Sequence, residues 1–333
     1  MTPWGHDKSG NLSADDAFAI LANQTRFEIV QTLWELYEPD DPANVVKFAD
    51  LYDGDSAVSF SELYDAVDYN DTGNFNYHLE QLTGHFVRQS DSGYELTEAG
   101  FEIVRAVLAG TVRERPRPDA VEIDANCPRC DAPVIADYKN HHLSVSCSRC
   151  PGIWQNVTGE DGVLFTFPLP PAGLSGRTPD EVFYATLVFN LNRIRSFIDG
   201  VCPHCSGPVD ESLDVCEEHE PRDRGGCPQC HRQHAVEVAE VCHQCKAVAR
   251  GPLAIAILSH PAVTAFHDNH GFEHRFASWE TFSRAQAVEE SILETDPLRI
   301  QLTIPYEGDR LRLTLDESLS LVEAVQETSL ARD

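Results

Sequence analysis

Eleven cysteines, nearly all in Cys-x-x-Cys pairs, carry the clearest chemistry of this chain. Cys127 and Cys130 form the first pair and Cys147 and Cys150 the second, with 16 residues between the pairs. Farther on come Cys202 and Cys205, Cys216 and His219, Cys227 and Cys230, and Cys242 and Cys245, with gaps of 10, 7 and 11 residues. Thiolates are soft, strong ligands, and two such knuckles close a tetrahedral shell around zinc. His219 completes the set because it stands at knuckle spacing where the fourth ligand is missing. His204, His231, His234 and His243 are the competing imidazoles. Twelve ligands make three sets of four, hence three structural zinc ions. Sites with four protein ligands leave no position for substrate water. No nucleophile elbow, phosphate loop or HExxH motif is present, so the chain is expected not to be an enzyme.

The elements between the knuckles must bring them together. Val134–Tyr138 and His142–Ser146 read as strands around a turn at Lys139-Asn140, which joins the first two pairs into a zinc ribbon. In the second block the pairing stays open. Sequential pairing gives 202/205/216/219 and 227/230/242/245, favoured because the segment between Cys230 and Cys242 has room for two short strands. Interleaved pairing gives a RING-like cross-brace. Between the blocks, Thr178-Pro-Asp-Glu starts a helix that runs to about Ile198, with Thr178 at the N-cap and Pro179 at N1. After Gly251, Pro252–Leu258, Ala262–His270 and Glu280–Ala287 read as helices. Leu298–Ile304 and Leu311–Leu315 then alternate as a hairpin. Strands near Val288–Leu293 and Leu321–Val325 flank it. Solvated or capping roles are expected for His260, His267, His270 and His274.

A different pattern fills the first third. Ser59-x-x-Glu62 is a capping box that starts a helix at Phe60. A second helix from about Gly73 to Thr83 buries Phe75, Leu79 and Leu82 at i, i+4, i+7. Its other face offers Thr72, Asn74, Asn76, Tyr77 and Gln81. A hairpin follows, His85–Ser90 and Tyr94–Leu96, with Arg88 near its tip. Helices at Asp15–Ala22, Thr25–Tyr37 and Thr97–Ala109 complete the domain. The order predicts a winged helix-turn-helix that sets its polar helix in a major groove.

The segments AILANQTRFEIVQTLWEL (19–36), FSELYDAV (60–67), NFNYHLEQL (74–82) and GYELTEAG (93–100) resemble the ArsR-like regulators, especially those of salt-loving archaea. The resemblance implies a transcriptional regulator bound to double-stranded DNA as a homodimer paired through its first and last helices. The Cys pair of ArsR-type metal sensors is absent, since no Cys precedes Cys127. A winged helix followed by a zinc ribbon also resembles the archaeal counterpart of the large subunit of initiation factor TFIIE. The third reading is a zinc-ribbon interaction scaffold.

The whole is expected to be a multidomain α+β chain. Residues 1–110 form the winged domain and 111–121 the linker with Arg113, Arg115 and Arg117. Residues 122–176 hold a zinc ribbon and strand, and 177–251 a helix with two zinc modules. Residues 252–333 make an α+β domain for a transcription-machinery partner or small effector. Lys+Arg 25 against Asp+Glu 54 gives −29, spread along the chain, which suits solubility in concentrated salt. It also weakens the counterion-release contribution to DNA affinity, leaving direct contacts and DNA shape to carry more. The N-terminus lacks the apolar core of a signal peptide and no run spans a membrane, so a cytoplasmic protein is expected.

Overall fold

In the computed structural model the chain is α+β and splits into two compact units, Met1–Arg113 and Glu114–Asp333. The structure describes residues 12–37, 57–110, 116–152, 162–221, 226–272 and 278–328. The acidic stretch 38–56, Arg113, Arg115 and His274 lie outside them. Among the described residues no helix is long and apolar enough to cross a membrane.

The first unit runs α1 (Ala14–Leu21), α2 (Gln24–Glu35), α3 (Phe60–Ala66), α4 (Thr72–Leu82), β1 (Val87–Ser90), β2 (Gly93–Leu96) and α5 (Glu98–Leu108). Local chemistry sets every helix start. Side-chain oxygens of Ser13, Asn23, Ser59, Asp71 and Thr97 each accept a backbone N–H of the first turn. Such a cap contributes about 1 kcal/mol. Ile29, Val30 and Leu33 of α2 pack with Leu63, Phe75, Leu79, Leu82 and Val104 into one core. The hairpin closes on the rest at Gly93, whose φ is +145°. A Cβ there would stand 2.4 Å from the Val58 carbonyl oxygen, where Val58 bridges to Tyr94. Only glycine fits that approach.

The second unit holds three antiparallel sheets. The first joins β3 (Val121–Asn126), β4 (Pro133–Lys139), β5 (His142–Cys147) and β6 (Val163–Pro168) in chain order. The helix α6 (Pro179–Ile198) follows, started by a full capping box in which Thr178 and Glu181 satisfy each other's backbone N–H. The second sheet is β7 (Val209–Val215), β8 (Val236–Cys242) and β9 (Val248–Pro252). Then come α7 (Leu253–Ala256), α8 (Pro261–Asn269) and α9 (Trp279–Arg284). The last sheet is β10 (Glu289–Thr295), β11 (Leu298–Tyr306), β12 (Asp309–Asp316) and β13 (Leu321–Glu327), again in chain order. Ile300, Leu302 and Ile304 face inward with Leu311, Leu313 and Leu315, as period-two alternation requires. One apolar cluster runs from Ile123 to Leu315, so the three segments that the sequence separates share a single core.

The C-terminal histidines have structural work. His260 caps α8 by accepting from the Ala262 N–H. His267 is buried. His270 ends α8 with Nδ1 2.7 Å from the Phe266 carbonyl and Nε2 3.0 Å from an Asp309 carboxylate oxygen. Two acceptors on one ring favour the imidazolium. The Phe266 carbonyl first, and Asp309 second, hold the His270 pKa above its ordinary 6.5. A raised folded pKa adds stability that is complete below pH 6.5 and lost as pH climbs through the folded value. We expect the thermal midpoint to fall as pH rises from 6 to 8, and to fall less in His270→Gln. Parallel pH profiles for the two proteins would remove this assignment.

Candidate metal centres and recognition face

The sheets deliver the cysteines in three groups. In the first, β4 and β5 pair from Val134↔Cys147 to Lys139↔His142. The knuckle before β4 therefore meets the knuckle at the end of β5. Cys127, Cys130, Cys147 and Cys150 come together, with Sγ–Sγ distances of 3.6 Å (Cys127 to Cys150) and 3.4 Å (Cys130 to Cys147).

The second block corrects the expected pairing. Cys202, Cys205, Cys242 and Cys245 form one group, and Cys216, His219, Cys227 and Cys230 another. This is neither sequential nor cross-braced: the inner group is nested within the outer. The cause is one long ladder, in which β7 pairs β8 from Val209↔Cys242 to Val215↔Val236. Whatever precedes β7 must then lie beside whatever follows β8, and each end of the ladder gathers its own four ligands. The strands expected between Cys230 and Cys242 are instead the single strand β8, whose partners are β7 and β9.

Four knuckles share one backbone pattern. The N–H groups of Asp131, Ser206, His231 and Lys246 bond back to the carbonyls of Cys127, Cys202, Cys227 and Cys242 at 2.8–3.1 Å. Those four residues, each just after the second Cys, sit at φ of +55° to +62°. The left-handed turn aims both sulfurs at one point. After Cys150 comes Pro151, which cannot adopt that φ, and Gly152 takes it at +73°. Holding a side chain there costs roughly 1–2 kcal/mol relative to glycine, and more when it is β-branched. Lys246→Val should accordingly lower stability by about 2 kcal/mol, while Lys246→Gly keeps or raises it. Denaturant titration of the metal-loaded chain checks this, and equal loss in both variants would refute it.

Donor chemistry fits a metal ion at all three positions. Ligand atoms within each group lie within 4.8 Å of one another. Four sulfurs at tetrahedral distance from one ion stand roughly 3.8 Å apart, near the values seen. In the outer group the backbone N–H groups of Cys245 and Gln244, with the Cys205 and Cys202 thiols, bring Cys242 down to about 6 against its burial, while in the other two groups burial pushes Cys127 and Cys216 up to about 12. His219 Nδ1 lies 3.4 Å from Cys230 Sγ, and its Nε2 donates to the Gln233 carbonyl at 3.1 Å. That bond fixes the tautomer and leaves Nδ1 as the ligand atom. The competing imidazoles are elsewhere: His204 beside Arg193, His234 beside Glu290, His243 beside Asp210, and His231 in a knuckle turn.

Residues 124–321, more than half of the chain, match a domain of unknown function, DUF7351. The chain belongs to this family. Its matched region contains all twelve ligands. Residues 14–107 match a second domain of unknown function, DUF7347, which falls within the first unit. No curated protein and no solved structure matches the chain.

In that first unit, α4 divides cleanly. Phe75, His78, Leu79 and Leu82 are buried, while Thr72, Gly73, Asn74, Tyr77 and Gln81 are exposed and Asn76 is half-buried. Tyr77 is 53% exposed, with His78 as its ring neighbour. The asparagines are held in place. Asn74 Nδ2 donates to Tyr69 Oη at 2.7 Å, and Asn76 Nδ2 to Glu80 at 2.6 Å. Arg88 is ion-paired with Glu95 at 2.9 Å across the hairpin. Arg26 donates to the Ala19 carbonyl, and Arg105 bonds Glu98 and Glu102. Each arginine described in this unit thus has a partner within it. The sequence showed the exposed face but not these restraints: Tyr69 comes back to α4 from the turn before it, and Glu80 stands one turn on from Asn76 along α4 itself.

Proposed function

We propose that this chain is a salt-adapted, cytoplasmic transcriptional regulator that binds double-stranded DNA through its first unit. That unit has the element order of a winged helix-turn-helix, with α4 as reading helix and the β1–β2 hairpin as wing. The carrying observation is the partition of α4: an apolar stripe locked into the core and an exposed polar face of Thr72, Asn74, Tyr77 and Gln81. Asn76 flanks that face. Asn74 and Asn76 are pre-positioned for adenine, since a held amide loses less rotamer freedom when it bonds a base edge. Tyr77 offers a ring to a thymine methyl or a hydroxyl to phosphate. Arg88 would contact phosphate only by sharing or leaving Glu95.

The metal we assign to the three groups is zinc, in ribbon-like structural sites with no open coordination position. They serve no catalytic step. Homodimerisation through α1 and α5 fits their surface, where Phe18 is 72% and Leu108 44% exposed. With so few uncommitted cations, affinity should depend only weakly on salt, because each phosphate neutralised adds about 0.9 to the slope of log K against log salt. Genome-wide occupancy mapping tests the reading. Discrete palindromic sites are expected. Occupancy of all promoters would favour a general initiation component of TFIIE type, and no occupancy a protein-interaction scaffold.

A further inference from the structure

The second unit contains a partly open cavity of about 260 Å³ lined by β6, α6, β8, β9, α7 and α9. Its walls are mostly apolar. Phe165, Phe167 and Phe282 form an aromatic corner with centroids 4.7–6.1 Å apart, and Ile194 closes another side. A carboxyl group interrupts this wall. Glu240 lines the cavity and is only 4% exposed. Its Oε1 is buried with no hydrogen-bond partner among the described residues. Arg250, a cation in the same wall, is committed to Glu237 at 2.7 Å. Directly across the ladder from Glu240 stands another acid, Glu211.

A buried carboxyl without a partner is costly, and packing alone would favour an apolar residue at this position. Structural ion pairs in this chain do not resemble it: Glu237, three residues earlier, has two guanidiniums. An acceptor set into an aromatic, apolar chamber is the complement of a small amine, whose N–H⁺ bonds the carboxyl while its hydrocarbon body takes the walls. Aromatic faces add attraction for an ammonium group. We propose that this cavity is a binding site for a small primary or secondary amine with an apolar body, with Glu240 as its anchor. A quaternary ammonium would suit the rings but has no N–H for the carboxyl. The volume admits a fragment-sized molecule rather than a nucleotide or peptide.

The inference concerns the second unit alone and stands whether or not the first unit binds DNA. The test uses the metal-loaded full chain in molar KCl, with 3-phenylpropylamine as probe and n-propylbenzene as its counterpart lacking the donor. Isothermal titration should give saturable amine binding, with intermolecular NOEs to the Phe167 and Phe282 rings. Glu240→Gln should weaken the amine at least tenfold while keeping its metal content and cooperative unfolding, because the amide fills the same space without the charge. Ala256→Leu, which narrows another wall, should also weaken it. Equal affinity for propylbenzene, unchanged affinity in Glu240→Gln, or no saturable binding of the amine would each overturn the proposal.

Discussion

Removing the metal ions should unfold most of the second unit and leave the first intact. Each end of the β7–β8 ladder is closed by four ligands, and the four-cysteine group of the first sheet closes β4 on β5. β7 itself buries little: Val209, Leu213 and Val215 are half-buried and its other residues exposed. Without metal, nothing comparable holds its two ends. Zinc in small structural sites supplies roughly 10–16 kcal/mol at neutral pH, more than the whole stability of most domains. Hydrogen exchange before and after chelation should show protection lost across residues 121–252 and kept across 24–35 and 72–82, where the core contains no cysteine. The nested arrangement adds a count. Changing Cys202, Cys205, Cys242 and Cys245 together to Ala should leave two ions bound, because all four belong to one group. Sequential or cross-braced pairing would strip two ligands from each of two sites and leave one. Native mass spectrometry distinguishes the outcomes.

The second large effect is expected at Arg232. The ladder sets Asp214 directly opposite Glu237, two acids on one face. Arg232 lies between them, with Nη1 2.8 Å from Asp214 and 2.9 Å from Glu237, and both Arg232 and Glu237 side chains are only 8% exposed. Arg250 adds a contact to Glu237 from β9. Like charges facing across a ladder repel, and a buried charge stripped of its partner typically costs 3–5 kcal/mol. Since Arg250 remains, Arg232→Met should lose about 3 kcal/mol. The double change Arg232→Met with Glu237→Met should recover most of it, because no buried charge is then left alone. Denaturant unfolding of the metal-loaded proteins gives the four corners of the cycle. A double variant as weak as the single one would show that packing, not charge, dominates.

Much of this was readable in the chain itself, for identifiable reasons. Phe75, Leu79 and Leu82 recur at helical spacing, so α4 could be placed within about a residue. His219 could be chosen over four other histidines because knuckle spacing is a geometric requirement of the metal. The alternation of Leu298–Ile304 and Leu311–Leu315 yielded the β11–β12 hairpin. The nested pairing was not visible, because VDESLDV carries three acids and too little apolar surface to announce β7. Its weak alternation, Leu213 and Val215, was the available signal. β3, residues 121–126, was hidden in the same way by Glu122 and Asp124. The Glu240 cavity could not be anticipated, since it is assembled from residues 163–282 by packing rather than spacing.

If α4 reads DNA as proposed, selection from a random duplex pool with the metal-loaded full chain, at molar salt, should enrich a palindromic motif. Asn74→Ala and Tyr77→Ala should erode that preference by roughly 1–3 kcal/mol each, the discrimination a good base contact supplies. Arg88→Ala should weaken all duplexes alike, because phosphate contacts carry no sequence. A pool that remains random, or a motif that survives both α4 variants unchanged, would show that α4 does not read DNA.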